Sequence, residues 1–343
     1  MTYRSLFILT VFFLFASCSE HYHHGYKNDN DGNFNALWDI VNEHYCFFDE
    51  KNVDWDRIYT IYKPQADTIA NSRSLFYLFA QMLDSLKDGH VNLYSEFDIS
   101  RSKLWWQGYP SNFDESLIYS KRYLGDNYKI AGGLVYEKIA ADSIGYIRYS
   151  SFNSDFSDAN LVGVFSYFSD CKGLIIDVRN NGGGSIEYAK QLAASFIKGK
   201  PIIGYMQHKT GKGHNEFSDL EKMEIDSATT LVHWYRPVVV LTNRQSYSAT
   251  NLFTNAMKHA FLCLIIGTKT GGGGGMPMSY ELPCGWLLRL STVRMFDSEK
   301  KSIEDGIQPD IEALICGDDK DDVIETAISA INELYNKAKQ NND

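Results

Sequence analysis

Four short apolar, β-branched runs recur in the second half of the chain: Gly145-Tyr-Ile-Arg-Tyr149, Leu174-Ile-Ile-Asp177, Val238-Val-Val-Leu241 and Leu264-Ile-Ile266. Stretches of helical spacing, residues 186–197 and 249–260, lie between them. Runs of this length bounded by polar turns read as buried strands, and their alternation with helices predicts an α/β core with crossover connections. A further stripe, Val323, Ile324, Ala327, Ile328, Ile331 and Leu334, predicts a packed C-terminal helix within Asp321 to Ala338.

The first half reads differently. Phe34, Leu37, Ile40, Val41 and Tyr45 form one helical stripe, and Leu75, Leu78, Phe79, Met82, Leu83 and Leu86 form another, with Ser72 and Ser74 as candidate caps. The expected organisation is a helical domain at 34–90, ending at Asp88-Gly89-His90, and an α/β domain at 91–343. Ahead of both, Arg4 precedes an apolar run from Leu6 to Ala16. That run is too short to span a bilayer as a helix but suits a signal peptide over residues 1–17. Ala16-Ser17-Cys18 resembles a bacterial lipoprotein signal, so export and a lipid anchor at Cys18 are expected, with residues 18–33 as a tether. An ordinary cleaved leader is the alternative.

Composition excludes several classes. The chain carries 33 basic and 43 acidic side chains, with no basic block, so nucleic acid is not an expected partner. Cys46, Cys171, Cys263, Cys284 and Cys316 show no CxxC spacing, so neither a disulfide framework nor a zinc site is legible. No metal is expected. His21, His23 and His24 fall in the polar tether.

Two segments could carry chemistry. Asp177-Val-Arg-Asn-Asn-Gly182-Gly183-Gly184-Ser185 joins a strand to a helix, where glycines admit close backbone approach and free N–H groups face negative charge. Leu241-Thr-Asn-Arg-Gln-Ser-Tyr-Ser248-Ala-Thr repeats that layout, with Ser248 at the helix start beside the Ala249 N–H. Ser248 is a candidate nucleophile or a plain N-cap, and Ser246 is its rival on the loop. A serine needs a base. His259 lies about 16 Å along the same helix and is too far; His208 and His214 sit in an unconstrained loop; His90 closes a helix at a domain boundary, where clefts form.

Together these segments resemble the S41 peptidase family, the tail-specific and tricorn-type serine proteases. The resemblance rests on Asp88-Gly-His90, Gly145-Tyr-Ile-Arg-Tyr149, Asp177 to Gly184, Asn243-Arg-Gln-Ser-Tyr-Ser248-Ala, Gly267-Thr-Lys-Thr-Gly-Gly-Gly-Gly274 and Gly306-Ile-Gln-Pro-Asp310, in the family's order. It implies a crotonase/ClpP-like core, Ser248 as nucleophile, and oxyanion donors at Gly182 or Gly183 with Ala249. The lysine of the tail-specific Ser–Lys dyad falls on Gly273 here, and Lys269 lies on the wrong side of Thr270. The tricorn-type branch instead uses a histidine after the helical domain, which implies His90 as base. Its serine before the histidine is Gly89 here, and its C-terminal glutamate corresponds to Glu304, with Asp305 competing. The 54 residues between His90 and Gly145 are few for a PDZ domain, and none is expected.

The implied activity is cleavage of peptides or unstructured protein segments in the cell envelope, through an acyl-enzyme and without cofactor. An imidazole of ordinary pKa gives activity rising through neutral pH. The alternatives are an inactive relative that binds an apolar ligand or peptide, or an envelope scaffold. The aromatic Trp105-Trp106 pair and Tyr109 either line such a pocket or cover the core.

Overall fold

The computed structural model describes residues 25–340. The leader at 1–17, Cys18 and the tether histidines His21, His23 and His24 lie outside the described residues. The chain opens with helices α1 (Asn30–His44), α2 (Trp55–Ala66) and α3 (Ser72–Asp84). Helix α1 begins inside the stretch expected to be tether, because the Asp29 carboxylate accepts the Gly32 N–H and caps it at 2.8 Å. Helix α3 is capped by Asn71, which accepts the Ser74 N–H, and not by Ser72 or Ser74.

Then follow β1 (Asn92–Tyr94), α4 (Glu115–Ile118), β2 (Lys129–Ala131), β3 (Leu134–Ile139), β4 (Ile144–Tyr149), α5 (Asp158–Tyr167) and β5 (Gly173–Asp177). The rest comprises α6 (Ile186–Ala194), β6 (Ile202–His208), β7 (Glu221–Glu224), β8 (Val238–Thr242), α7 (Ala249–Met257) and β9 (Cys263–Gly267). Strands β10 (Gly275–Glu281), β11 (Leu287–Asp297) and β12 (Ile311–Glu312) precede the last helix, α8 (Asp322–Gln340).

The four strands expected from sequence, β4, β5, β8 and β9, lie side by side and parallel at the centre of a seven-stranded sheet, ordered β12-β9-β8-β5-β4-β3-β2. Both faces are covered. Leu174, Ile176, Val238 and Val240 meet Leu192 of α6 and Phe253 of α7, while Ile175, Val239 and Leu241 meet Val323, Ala327 and Ile331 of α8. Burial on both faces is why these strands read as unbroken apolar runs. Each fully buried Val, Leu or Ile contributes about 1.5–3 kcal/mol, so α8 is held by its stripe more than by its caps, worth about 1 kcal/mol each.

A second, antiparallel sheet runs β1-β11-β6-β7, with β10 also paired to β11. Helices α1 and α3 pack on it: Phe34, Leu37, Leu75 and Phe79 share one core with Tyr280, Trp286, Leu288 and Leu290. The expected boundary at residue 90 therefore does not separate two cores. Three helices with one apolar face each need a surface to cover, and a hairpin some two hundred residues later in the chain supplies it. Among the described residues, no helix is long and apolar enough to cross a membrane. The segment Asp88–Val91 joins the two sheets: Asp88 accepts the Ser291 hydroxyl of β11, and His90 meets Ser248 just beyond β8.

Candidate active site

The loop after β8 is stitched before it reaches Ser248. Asn243 Nδ2 donates to Ser111 O and to Asn180 Oδ1, both at 2.7 Å. Ser246 is fully buried; its hydroxyl donates to Val178 O at 2.8 Å and accepts the Asn243 N–H at 3.1 Å. With its donor and an acceptor engaged inside the loop, Ser246 holds structure. Ser248 is different. Its backbone stands at φ 60°, ψ −120°, and the Thr250 N–H bonds Tyr247 O at 3.1 Å. These angles are those of the first central residue of a type II′ turn, a position that favours glycine. Ser248 occupies the cap position of α7, yet its side chain makes no cap hydrogen bond. Its Oγ instead lies 2.9 Å from His90 Nε2.

His90 is fixed from its own backbone. Its N–H donates to Asp88 Oδ1 at 2.8 Å, and Asp88 Oδ2 accepts the Ser291 hydroxyl of β11 at 2.9 Å. The ring rests 4.9 Å from the Tyr247 ring and is 3% exposed. Burial pushes the imidazole pKa down to about 4; nearby Asp88 opposes this, while Arg289 and Lys51 add to it. The free site thus presents a neutral base across neutral pH, and the expected titration of the base near neutrality moves to acid pH. His90 Nδ1 has no hydrogen-bond partner.

Glu304 and Asp305, left as competitors by the sequence, separate by burial. Asp305 is exposed, whereas Glu304 is 4% exposed. Glu304 Oε1 pairs with Lys51 Nζ at 2.8 Å, and Oε2 has no partner. Burial first, then Asp88, pushes the Glu304 carboxyl up to about 8 against the pull of Lys51. No hydrogen bond joins Glu304 directly to His90.

The glycine loop after β5 lies against the serine turn. A Cβ on Gly183 would stand 2.7 Å from Tyr247 O, 2.8 Å from Ser248 Cβ and 2.9 Å from Ala249 N. Its φ is 96°, a value that favours glycine. The Gly183 N–H, however, donates to Asn181 Oδ1 at 3.0 Å, so it is already engaged. Gly182 is exposed at the loop tip, and Ala249, first residue of α7, has an N–H with no place in the helical ladder. Those two remain as candidate oxyanion donors.

The two departures from the family pattern have one cause. A Cβ at Gly273 would meet the Tyr247 ring at 2.5–2.8 Å. A Cβ at Gly89 would meet Trp105 Nε1 at 2.5 Å and Tyr247 Oη at 2.8 Å. Trp105 stacks on Tyr247 with centroids 4.1 Å apart, so this aromatic pair fills the space that a dyad lysine or a second serine would need. Trp105 therefore fills the space beside Gly89 and, with Tyr247, lines a small cavity there. Arg244 holds its carbonyl and spans to Thr270 O at 2.8 Å. Tyr109 stands exposed with the Arg244 guanidinium 4.5 Å from its ring centroid. Lys269 lines a separate cavity of about 460 Å³ with Tyr109 and Arg244.

The remaining histidines have other neighbours: His208 faces Glu221 at 3.6 Å, and His214 bonds Asn42 at 2.8 Å. The five cysteines named above are free. Among the described residues, no cluster of three or more His, Cys, Asp or Glu could hold a metal ion. Lys51, Asp88, Tyr247 and Ser291 escaped assignment from sequence. Only Asp88 left a signal, two residues before the histidine.

Comparison with known proteins places this arrangement. The profile of peptidase family S41 matches residues 143–313, and that of the tricorn protease C1 domain matches residues 26–84. A candidate peptidase of Parabacteroides merdae, of known structure, is 43% identical, covering 89% of this chain and 97% of its own, with a TM-score of 0.84. A candidate CtpA-like serine protease of Staphylococcus aureus strain N315 is 29% identical over 171 residues, 49% of this chain and 33% of that protein. The chloroplastic C-terminal processing peptidase of Tetradesmus obliquus is 29% identical over 182 residues, 51% of this chain and 37% of that protein. The chain thus spans about a third of the length of the curated relatives it matches. The S41 match takes in the parallel strands, the glycine loop and the serine turn, and the Parabacteroides protein aligns over nearly its whole length: the chain belongs to peptidase family S41.

Proposed function

We propose that this protein is a serine peptidase that cleaves peptides or unstructured protein segments in the cell envelope, with Ser248 as nucleophile and His90 as base. The observation that carries the reading is the 2.9 Å approach of Ser248 Oγ to His90 Nε2, made by a serine whose backbone turn denies it a capping role. The neutral imidazole accepts the Ser248 proton as Oγ attacks the scissile carbonyl. The N–H groups of Ala249 and Gly182 stabilise the oxyanion at the positive end of α7. His90 then protonates the leaving amine, and water repeats the sequence on the acyl-enzyme. Asp88, the acid that favours the charged ring, balances the imidazolium, and Glu304 is assigned as the further carboxylate of the site.

The tricorn-type branch is favoured over the Ser–Lys branch, supported by the match of residues 26–84 to the tricorn C1 domain and by Tyr247 filling the space beside Gly273. We place the core with the crotonase/ClpP-like folds, without a PDZ domain; residues 91–144 contain β1, α4, β2 and β3. Export with lipid attachment at Cys18 rests on the leader and Ala16-Ser17-Cys18. Cys18→Ala should abolish detergent-phase partitioning and metabolic lipid labelling; unchanged partitioning refutes the anchor.

The function is tested by a fluorophosphonate probe and a peptide-library digest on the wild type beside Ser248→Ala and His90→Ala. Label mapped to Ser248, with cleavage lost in both variants, is the expected result. An unlabelled wild type that digests nothing leaves a binding protein on the same scaffold.

A further inference from the structure

Two carboxylates are buried around the segment that carries His90: Asp88, at 1% exposure, and Glu304, at 4%, which lines a small cavity with Gly89. Asp88 is satisfied within its own surroundings by the His90 N–H and the Ser291 hydroxyl. Glu304 has a single side-chain partner, Lys51, at 2.8 Å, and both side chains are largely buried, 3% and 13% exposed. Lys51 comes from neither sheet. It lies between α1 and α2, and its Nζ also donates to Lys87 O at 3.3 Å, just ahead of Asp88-Gly89-His90. With Gly89, Trp105, Tyr247 and Glu304 it lines a cavity of about 170 Å³. One ammonium thus touches the segment carrying the base and the carboxylate behind it.

Resting on the assignment of Ser248 and His90 as the active centre, we propose that Lys51 is a positioning residue, supplied by the helical segment, that holds Glu304 as the anion serving His90. An isolated buried carboxylate takes up a proton instead of staying charged, and a second carboxylate nearby makes that worse. Glu304 faces Asp88 and Glu50, both acidic, with Lys51 as the cation that draws it back. Lys51 in turn faces Glu304, Asp88 and Asp305. From the other elements, Tyr45 and Cys46 of the α1–α2 connection and Tyr247 of the serine turn face Asp88 and Glu304, and Arg289 of β11 faces His90. Lys51 also repels a protonated His90. Its electrostatic benefit to the base therefore passes through the carboxylate it pairs with, Glu304, and not through the ring itself.

The test is the pH profile of kcat/KM for peptide cleavage, with fluorophosphonate labelling in parallel, in the full chain. The wild type should show a rising limb near the Glu304 titration, about pH 8. Lys51→Met should move that limb up by more than one pH unit, Lys51→Arg should restore it, and Glu304→Gln should abolish it. In the Glu304→Gln background, Lys51→Met should then have no further effect on the profile. A limb left in place by Lys51→Met, or one that survives Glu304→Gln, overturns the role of Lys51. Where Lys51→Met does not fold, Lys51→Gln takes its place, with the same upward shift expected and an unmoved limb overturning the role. Labelling that persists in His90→Ala marks failure of the active-centre assignment instead, since the Lys51 variants do not enter that result.

Discussion

Replacing Ser248 by Gly, Ala and Thr separates strain from chemistry. An L-residue at positive φ costs about 1–2 kcal/mol relative to glycine, and a β-branched residue there is less tolerated still. The φ of 60° and ψ of −120° at Ser248 incur that cost in the wild type. Every variant without the hydroxyl loses the bond to His90 Nε2, worth about 1 kcal/mol. Ser248→Ala keeps the strain and loses the bond, so it should fall about 1 kcal/mol below the wild type. Ser248→Gly relieves the strain but adds about 0.5–1 kcal/mol of backbone entropy cost, which should leave it near the wild type. Ser248→Thr is the decisive member. A threonine caps a helix nearly as well as serine, yet its extra methyl at this backbone geometry, packed against Gly183, should cost at least about 1 kcal/mol. Urea unfolding at pH 7.5 gives the order, and turnover should drop on the order of 10⁶ in the Gly and Ala variants. A Thr variant as stable as the wild type would show that the turn is unstrained and would refute this reasoning.

Other perturbations reach different parts of the site. His90 has a folded pKa of about 4, below the ordinary imidazole value of 6.5, so the unfolded chain binds this proton first. Its stabilisation is complete above pH 6.5 and is lost as pH falls through 4, by up to about 3 kcal/mol; His90→Gln should flatten that part of the curve in urea unfolding between pH 7.5 and 4. Gly183→Ala forces a Cβ to within 2.7–2.9 Å of the backbone at Tyr247 and Ala249 at a φ of 96°, so labelling should be lost and stability should fall by more than 1 kcal/mol in the same unfolding assay. Gly89→Ser restores the tricorn-type serine but must displace Trp105, so tryptophan fluorescence should change and kcat/KM should fall, not rise.

The linear chain itself specified the parallel strands, because β4, β5, β8 and β9 are buried on both faces and must be apolar at every position. It specified the serine turn and the glycine loop too, since backbone near-contact and positive φ leave glycine as a visible mark at Gly183. The antiparallel sheet was not legible: β10 and β11 find their partners in α1 and α3 only through a shared core, and no local pattern announces a helix pair's distant cover. On local pattern His90 stood among several histidines, favoured only by the family resemblance, and packing across 157 intervening positions brings it to Ser248. From its own segment Ser248 read first as a cap, and only the family resemblance made it a nucleophile before its φ was known. Glu304 and Asp305 are neighbours of the same charge, and burial alone divides them. Lys51 left no sequence signal, because an ion pair between residues 51 and 304 exists only where folding removes both from water. Periodicity and glycine placement are local consequences of backbone geometry, so the sequence determines them; the choice of base, the state of each charge and the pairing of distant segments are set by desolvation and packing, which only the tertiary structure decides.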